Sequence, residues 1–257
     1  MLITNDIFTK IGKSHFICED YIIKGYDYII LADGSTGAKN TDIGARLLCL
    51  SAEKYIKTWK NSLGKLDHNK MGFNIISNAE IMTRVLEIDT TCLSSTLIIS
   101  YYHNNYICVH MYGDGYIILE NNDGGISYCE VSFTDSYPFY LSYNLSPDNL
   151  ESYRKKEIKK KVKTFIGSDL ESDYSDPNIW NFPVYLFKTI AIASDGIGSF
   201  NPGTNIKEVV KECVSFKTTN GSFLQRRMIR FISTYENDKN FHFDDISIGA
   251  FLIKKEG

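Results

Sequence analysis

The chain has 257 residues, 43% of them hydrophobic and 13% aromatic, enough to bury a core of its own. Charged residues make up 23% and the net charge is only −3, a balance that calls for neither nucleic acid nor an anionic membrane as partner. No run approaches the roughly 20 apolar residues that span a bilayer, and six cysteines scatter without a C-x-x-C pair, so a reduced, cytoplasmic protein is expected.

The start, Met1-Leu2-Ile3-Thr4-Asn5-Asp6, has neither the basic nor the apolar region of a signal peptide. The first predicted strand covers 26–32. Asp42 then stands where it could cap a helix carrying Ile43, Leu47, Leu50, Tyr55 and Trp59 at roughly helical spacing. A second helix is predicted over 78–88 from Ile81, Met82, Val85 and Leu86. Four strands follow, at 94–101, 106–112, 116–120 and 126–133, separated by turn-sized gaps that predict antiparallel hairpins. Between residues 146 and 183 the strand pattern stops, and Arg154, Lys155, Lys156, Lys159, Lys160, Lys161 and Lys163 form a dense basic run. It reads as a solvated helix face, or as a flap that draws an anionic substrate; the first reading is preferred. A strand at 184–193, helices at 206–214 and 223–235, and a strand at 246–253 complete the chain. Strands in the middle with helix pairs before and after predict an α+β domain, its helices covering the sheet faces.

Asp-Gly pairs occur four times. Asp123-Gly124, flanked by strands, reads as a hairpin turn. Asp33 and Asp195 differ, because each closes an apolar strand and no returning strand follows it. A strand buried on both faces that ends in a carboxylate delivers that charge to the edge of the core, a costly place without a cation or donors. The adjoining glycines let a backbone carbonyl come close as well. Asp244-Asp245 opens the last strand, and two neighbouring carboxylates stay ionised in a buried end only beside positive charge. With Glu19-Asp20 these residues form an all-oxygen set, the type that selects Mg²⁺ or Mn²⁺ over zinc.

The order of these motifs resembles the metal-dependent protein phosphatases of the protein phosphatase 2C type, as a divergent, bacterial-like member. The residues that carry the resemblance are Glu19-Asp20, Leu31-Ala32-Asp33-Gly34, Ser94-Ser95-Thr96, Gly113-Asp114, Ala193-Ser194-Asp195-Gly196 and Asp244-Asp245-Ile246-Ser247. They span nearly the whole chain. The resemblance implies one phosphatase-like domain over 1–257 with a flap or insertion at about 146–183. Its fold would be a four-layer α-β-β-α sandwich of two antiparallel sheets flanked by helix pairs. It also implies two Mg²⁺ or Mn²⁺ ions. Asp33 would bridge them, the Gly34 carbonyl would bind one, Asp195 and Asp244 would hold the other, and Glu19 would act through water. Asp114 matches the position that helps to hold a third, looser ion.

The implied reaction is hydrolysis of phosphoserine or phosphothreonine in a protein by water activated between the two ions, with Asp33, Glu19 and His15 as the catalytic candidates. His15 stands where many members carry a phosphate-clamping arginine and cannot reproduce its two-pronged donor geometry. Ser35 replaces a histidine found in animal members. Gly115 and Ser199 replace a serine and an acidic residue. These departures leave open two alternatives: a pseudophosphatase that binds phosphoproteins without turnover, and a metal-dependent phosphatase of a small phosphorylated molecule or nucleotide.

Overall fold

The computed structural model describes residues 2–60 and 66–254. Twelve strands are described: β1 (Leu2–Lys10), β2 (Tyr21–Lys24), β3 (Tyr28–Ala32), β4 (Leu97–His103), β5 (Tyr106–Tyr112), β6 (Gly115–Asn121), β7 (Ile126–Phe133), β8 (Lys159–Lys163), β9 (Asp169–Asp173), β10 (Asn178–Pro183), β11 (Phe187–Ala193) and β12 (Ile246–Lys254). Five α-helices join them: α1 (Thr41–Lys60), α2 (His68–Val85), α3 (Pro147–Arg154), α4 (Ile206–Val214) and α5 (Phe223–Asn237).

The strands form two antiparallel sheets, one ordered β1-β12-β11-β6-β7-β8-β9 and the other β10-β5-β4-β3-β2. Three apolar layers follow from the alternation of side chains along the strands. Leu31, Ile98, Val109, Ile117, Ile192 and Phe251 meet between the sheets. Ile30, Ile99, Leu48, Ile56, Met71 and Ile75 join the five-stranded sheet to α1 and α2. Ile118, Ala191, Ile248, Val209, Met228 and Phe231 join the other sheet to α4 and α5. The result is the expected α-β-β-α sandwich.

Several elements differ from the sequence reading. Asp42 lies in the first turn of α1 rather than capping it, and Leu50 is 44% exposed. Helix α2 starts ten residues before the expected position, where the Asp67 carboxylate accepts from the Lys70 amide at 2.7 Å. Its buried face is Met71, Ile75, Ile76 and Ala79, while Ile81, Val85 and Leu86 are exposed. The expected start of β11 at 184 is a 3₁₀ turn, Val184–Leu186. Asp123-Gly124 does form the β6–β7 turn, with Gly124 at φ +86°.

The segment 146–183 does not lack strands. It supplies α3, then β8 and β9 at the end of one sheet and β10 at the end of the other. The basic run is therefore not a helix face beyond Arg154. In the β8–β9 register Lys159 faces Asp173, Lys161 faces Glu171, and Lys163 faces Asp169. Opposite charges directly across an antiparallel pair stabilise it, so the strand neutralises its own lysines. Lys160 points the other way and is 2% exposed. All six cysteines are free. Among the described residues no helix is long and apolar enough to cross a membrane.

Candidate metal centre

Asp33 follows the fully buried β3, and its neighbours hold it by main-chain bonds: Thr96 N donates to the Asp33 carbonyl at 2.8 Å and Ser35 N to the Ser94 carbonyl at 2.9 Å. Gly34 is wedged in place, since a Cβ there would lie 2.8 Å from the Glu19 carbonyl oxygen and 2.9 Å from Thr41. Asp195 opens a 3₁₀ turn after β11. Gly196 lets that turn close on the start of β12, because a Cβ on it would sit 1.9 Å from the Asp245 carbonyl oxygen. Asp244 is fixed from the same turn, where Ser199 Oγ accepts its amide at 3.0 Å. Asp114 sits in the β5–β6 hairpin between Gly113 (φ +94°) and Gly115 (φ +135°), conformations that side chains other than glycine avoid.

These turns meet at one open cleft of about 500 Å³. Asp33, Gly34, Asp114, Asp195 and Asp244 all line it, so the structure brings together five of the residues singled out from sequence. Among the described residues no Lys, Arg or His side chain lines it. Asp33 and Asp195 are close enough to hydrogen-bond. Desolvation in the cleft, then repulsion from Asp20, Asp195 and Asp244, pushes the Asp33 carboxyl well above its usual range. Asp114 is raised by desolvation and then by Asp195 and Asp244, and Asp195 by desolvation and then Asp244.

The cleft is open and Asp195 is solvent-exposed, so water relieves part of this cost. Even at an effective dielectric of about 20, two carboxylates about 4 Å apart repel by about 4 kcal/mol, more than one hydrogen bond returns. A proton or a cation must offset that repulsion. The Thr96 hydroxyl, on the cleft wall and 4% exposed, has no hydrogen-bond partner among the described residues. Hard oxygen donors without sulfur or imidazole fit Mg²⁺ or Mn²⁺. The side chains do not close into a ready-made cage: among the described residues, no three His, Cys, Asp or Glu groups form a tight ligand cluster.

Glu19 and His15 stand behind this cleft rather than on its wall. Glu19 Oε1 accepts from Thr41 Oγ1 at 2.7 Å. The loop carrying both is tied down by Asp245, 2% exposed, whose carboxylate accepts from Gly12 N at 2.7 Å and Glu19 N at 2.6 Å. His15 lies 3.4 Å from Asp244 Oδ1 and 3.1 Å from Asp245 Oδ2, its Nδ1 not aimed for a hydrogen bond. Burial disfavours its imidazolium, but Asp245, Asp244 and Glu19 outweigh that and raise its pKa. Asp20 is buried and accepts from Ser194 Oγ at 2.9 Å; its other oxygen has no hydrogen-bond partner among the described residues.

Three lining residues escaped the sequence reading. Glu130 on β7 faces the cleft beside Tyr116, whose hydroxyl it bonds, and Tyr140 closes the far wall near Ser35. A lone carboxylate in the otherwise uncharged strand Ile126–Phe133 was the available signal for Glu130. Tyr140 sits in irregular chain and gave none.

The Protein phosphatase 2C family profile matches residues 12–233. Among solved structures the chain is similar to the Mycobacterium tuberculosis serine/threonine phosphatase PstP/Ppp, at 13% identity over 99% of this chain and 100% of that one, with a TM-score of 0.60. It is similar to the serine/threonine phosphatase Stp1 from Staphylococcus aureus at 13% identity over 99% and 96%, with a TM-score of 0.60. The catalytic domain of PstP in complex with 2 manganese ions aligns at 12% identity over 98% and 99%, with a TM-score of 0.56. No curated protein sequence matches the chain.

Proposed function

The chain belongs to the protein phosphatase 2C family, and from that premise we propose that it is a metal-dependent phosphomonoester hydrolase acting on phosphoserine or phosphothreonine in a protein. The single observation that carries the reading is the convergence of Asp33, Asp114, Asp195 and Asp244 on one cleft that, among the described residues, no Lys or Arg side chain lines. Such a cleft repels a phosphate as it stands, so its use on a phosphoester requires bound cations.

Two Mg²⁺ or Mn²⁺ ions, when bound, would supply an activated water and offset the negative charge on the phosphoryl oxygens. Asp33, the Gly34 carbonyl, Asp195 and Asp244 are the residues to hold them, with Asp114 for a third and Glu19 acting through water. The residues around them have separate duties. Thr96 Oγ1 has hydrogen-bonding capacity to spare at the wall. Tyr116 and Tyr140 line the cleft, their hydroxyls turned to Glu130 and Ser35. His15, held against Asp244 and Asp245, orients Asp244 and is a positioning residue rather than a substitute for an arginine clamp.

The test is turnover of p-nitrophenyl phosphate and of a phosphoserine peptide with Mn²⁺. Activity that is abolished by chelation and by Asp33→Asn is the expected result. Metal bound without turnover above the Asp33→Asn control overturns it in favour of a phosphoprotein-binding pseudophosphatase, the reading favoured by the absence of Arg or Lys from the cleft wall. A large preference for free nucleotides over phosphopeptide would move the substrate to a small molecule.

A further inference from the structure

A second chamber, of about 390 Å³, lies on the other side of the Gly113 turn from the acidic cleft. Its volume falls in the range of small-molecule sites. The two spaces are distinct: of all their lining residues only Phe133 is common to both. The chamber's chemistry is also opposite. Its floor is apolar, with Met111, Phe133 and Leu141, and its rim is aromatic, with Phe73 64% exposed and Phe139 packed against Tyr174 at 4.9 Å between centroids.

Three further features point to a particular occupant. Asn69 and Asn178 line the chamber, the latter only 8% exposed, and neither side chain makes a hydrogen bond among the described residues. Arg154 stands at the mouth, its Nε bonded to the Tyr174 hydroxyl at 3.1 Å and most of its guanidinium free. Behind the wall is Lys160. Its ammonium is buried, donates to the carbonyl of the lining residue Asp176 at 2.6 Å, and has no carboxylate within salt-bridge distance among the described residues. Burial depresses the imidazole of the lining His68 to about 4; Asp67 opposes that shift, and Lys160 adds a smaller push in the same direction. The Asp176 carboxylate, also at the wall, is engaged with the Asp173 amide at 3.1 Å. The nearby Asp176 and Asp173 favour the Lys160 charge but do not outweigh the cost of burial, so a further anion close by would stabilise it.

We infer that this chamber binds a mononucleotide, its base stacked on the Phe139–Tyr174 rim, its edge read by the amides of Asn69 and Asn178, and its phosphate set toward Arg154 and the field of Lys160. Aromatic side chains stack on any base, an asparagine amide matches the donor–acceptor edge of a purine, and guanidinium groups favour phosphate. A bare anion would use neither the rings nor the amides. A purely apolar ligand would strand both amides.

Calorimetric titration of the full chain with AMP and with GMP tests this, in EDTA so that nothing is hydrolysed. Binding of one of them is expected. Arg154→Glu, at an exposed position, and Tyr174→Ala should each weaken it by about tenfold or more. Adenosine and inorganic phosphate should bind far more weakly than the intact nucleotide, and Asp33→Asn should leave the affinity unchanged. Absence of binding by both nucleotides at millimolar concentration overturns the inference. So does binding that needs a divalent metal or is lost in Asp33→Asn, since the nucleotide would then occupy the acidic cleft. The readout involves no catalysis, so it stands or falls separately from the phosphatase reading.

Discussion

Two stretches of concentrated charge invite comparison, the β8–β9 hairpin and the acidic cleft. In the hairpin Lys159, Lys161 and Lys163 face Asp173, Glu171 and Asp169, so the charge cancels within the chain. In the cleft Asp33, Asp114, Asp195 and Asp244 face one another, and among the described residues no Lys or Arg lines the wall; only His15, behind it, approaches Asp244. In the sequence the hairpin is dense in charge, whereas the cleft's aspartates are scattered and meet only in the fold. Charge cancelled by its own neighbours serves the fold; charge left uncancelled requires something from outside.

If that distinction is right, perturbing the cleft should alter function while perturbing the hairpin alters very little. Asp33→Asn should lower Mn²⁺-dependent hydrolysis by more than about 100-fold, the upper end of what losing even an outer partner of a metal costs. By removing one repelling charge it should also raise the unfolding temperature of the metal-free protein, by about 2–4 °C for each kcal/mol relieved. A fall in both quantities would show that the carboxylates are not strained against one another.

Asp245→Ala probes the opposite kind of carboxylate, one whose oxygens are used by Gly12 N and Glu19 N. It should cost about 3 kcal/mol in urea unfolding, because one buried and one half-buried donor are left unpaired. It should also loosen metal binding, since the loop it anchors carries His15 and Glu19.

His68 and His110 represent a third solution, avoiding charge altogether. Their Nδ1 atoms lie 3.0 Å apart, an arrangement that needs at least one neutral ring, and burial depresses them to about 4 and about 3. A base whose folded pKa lies below its unfolded value of about 6.5 leaves the unfolded chain binding more protons, so stability falls as the pH drops through 6.5. Between pH 7 and about pH 5.5 the loss should be about 1 kcal/mol for each histidine. His110→Gln should flatten that dependence in equilibrium denaturation.

The smallest effect belongs to the hairpin. Lys161→Glu should move the unfolding midpoint by about 2 °C or less, as exposed pairs contribute little. Adding Glu171→Lys should restore it. Loss of activity in Lys161→Glu would mean that the strand steers substrate after all.

Much of this architecture can be read in the residues, and the exceptions have a common cause. Strand β5 and strand β7 end where they should because turn residues and β-branched or aromatic runs agree there. Strand β1 hides behind Thr4, Asn5, Asp6 and Thr9, polar residues tolerated because it pairs on one side only, with β12. Strands β8 and β9, Lys-Lys-Lys-Val-Lys and Asp-Leu-Glu-Ser-Asp, carry almost no strand propensity; each is held by the other's charge, which neither strand read alone reveals. The site follows the same rule. Asp33 and Asp195 are visible because each ends an apolar strand. Glu130 and Tyr140 become site residues only when distant turns fold beside them.

Gly196 gives this last point a further meaning. It touches no substrate and offers no side chain, yet the 1.9 Å between its absent Cβ and the Asp245 carbonyl oxygen is what allows two remote loops to share one address. Even a single methyl group would prise the β11 turn from the head of β12 and carry Asp195 away from Asp244. The geometry of the cleft is therefore written partly as empty space. A designer moving the four carboxylates to another scaffold would have to move that vacancy with them.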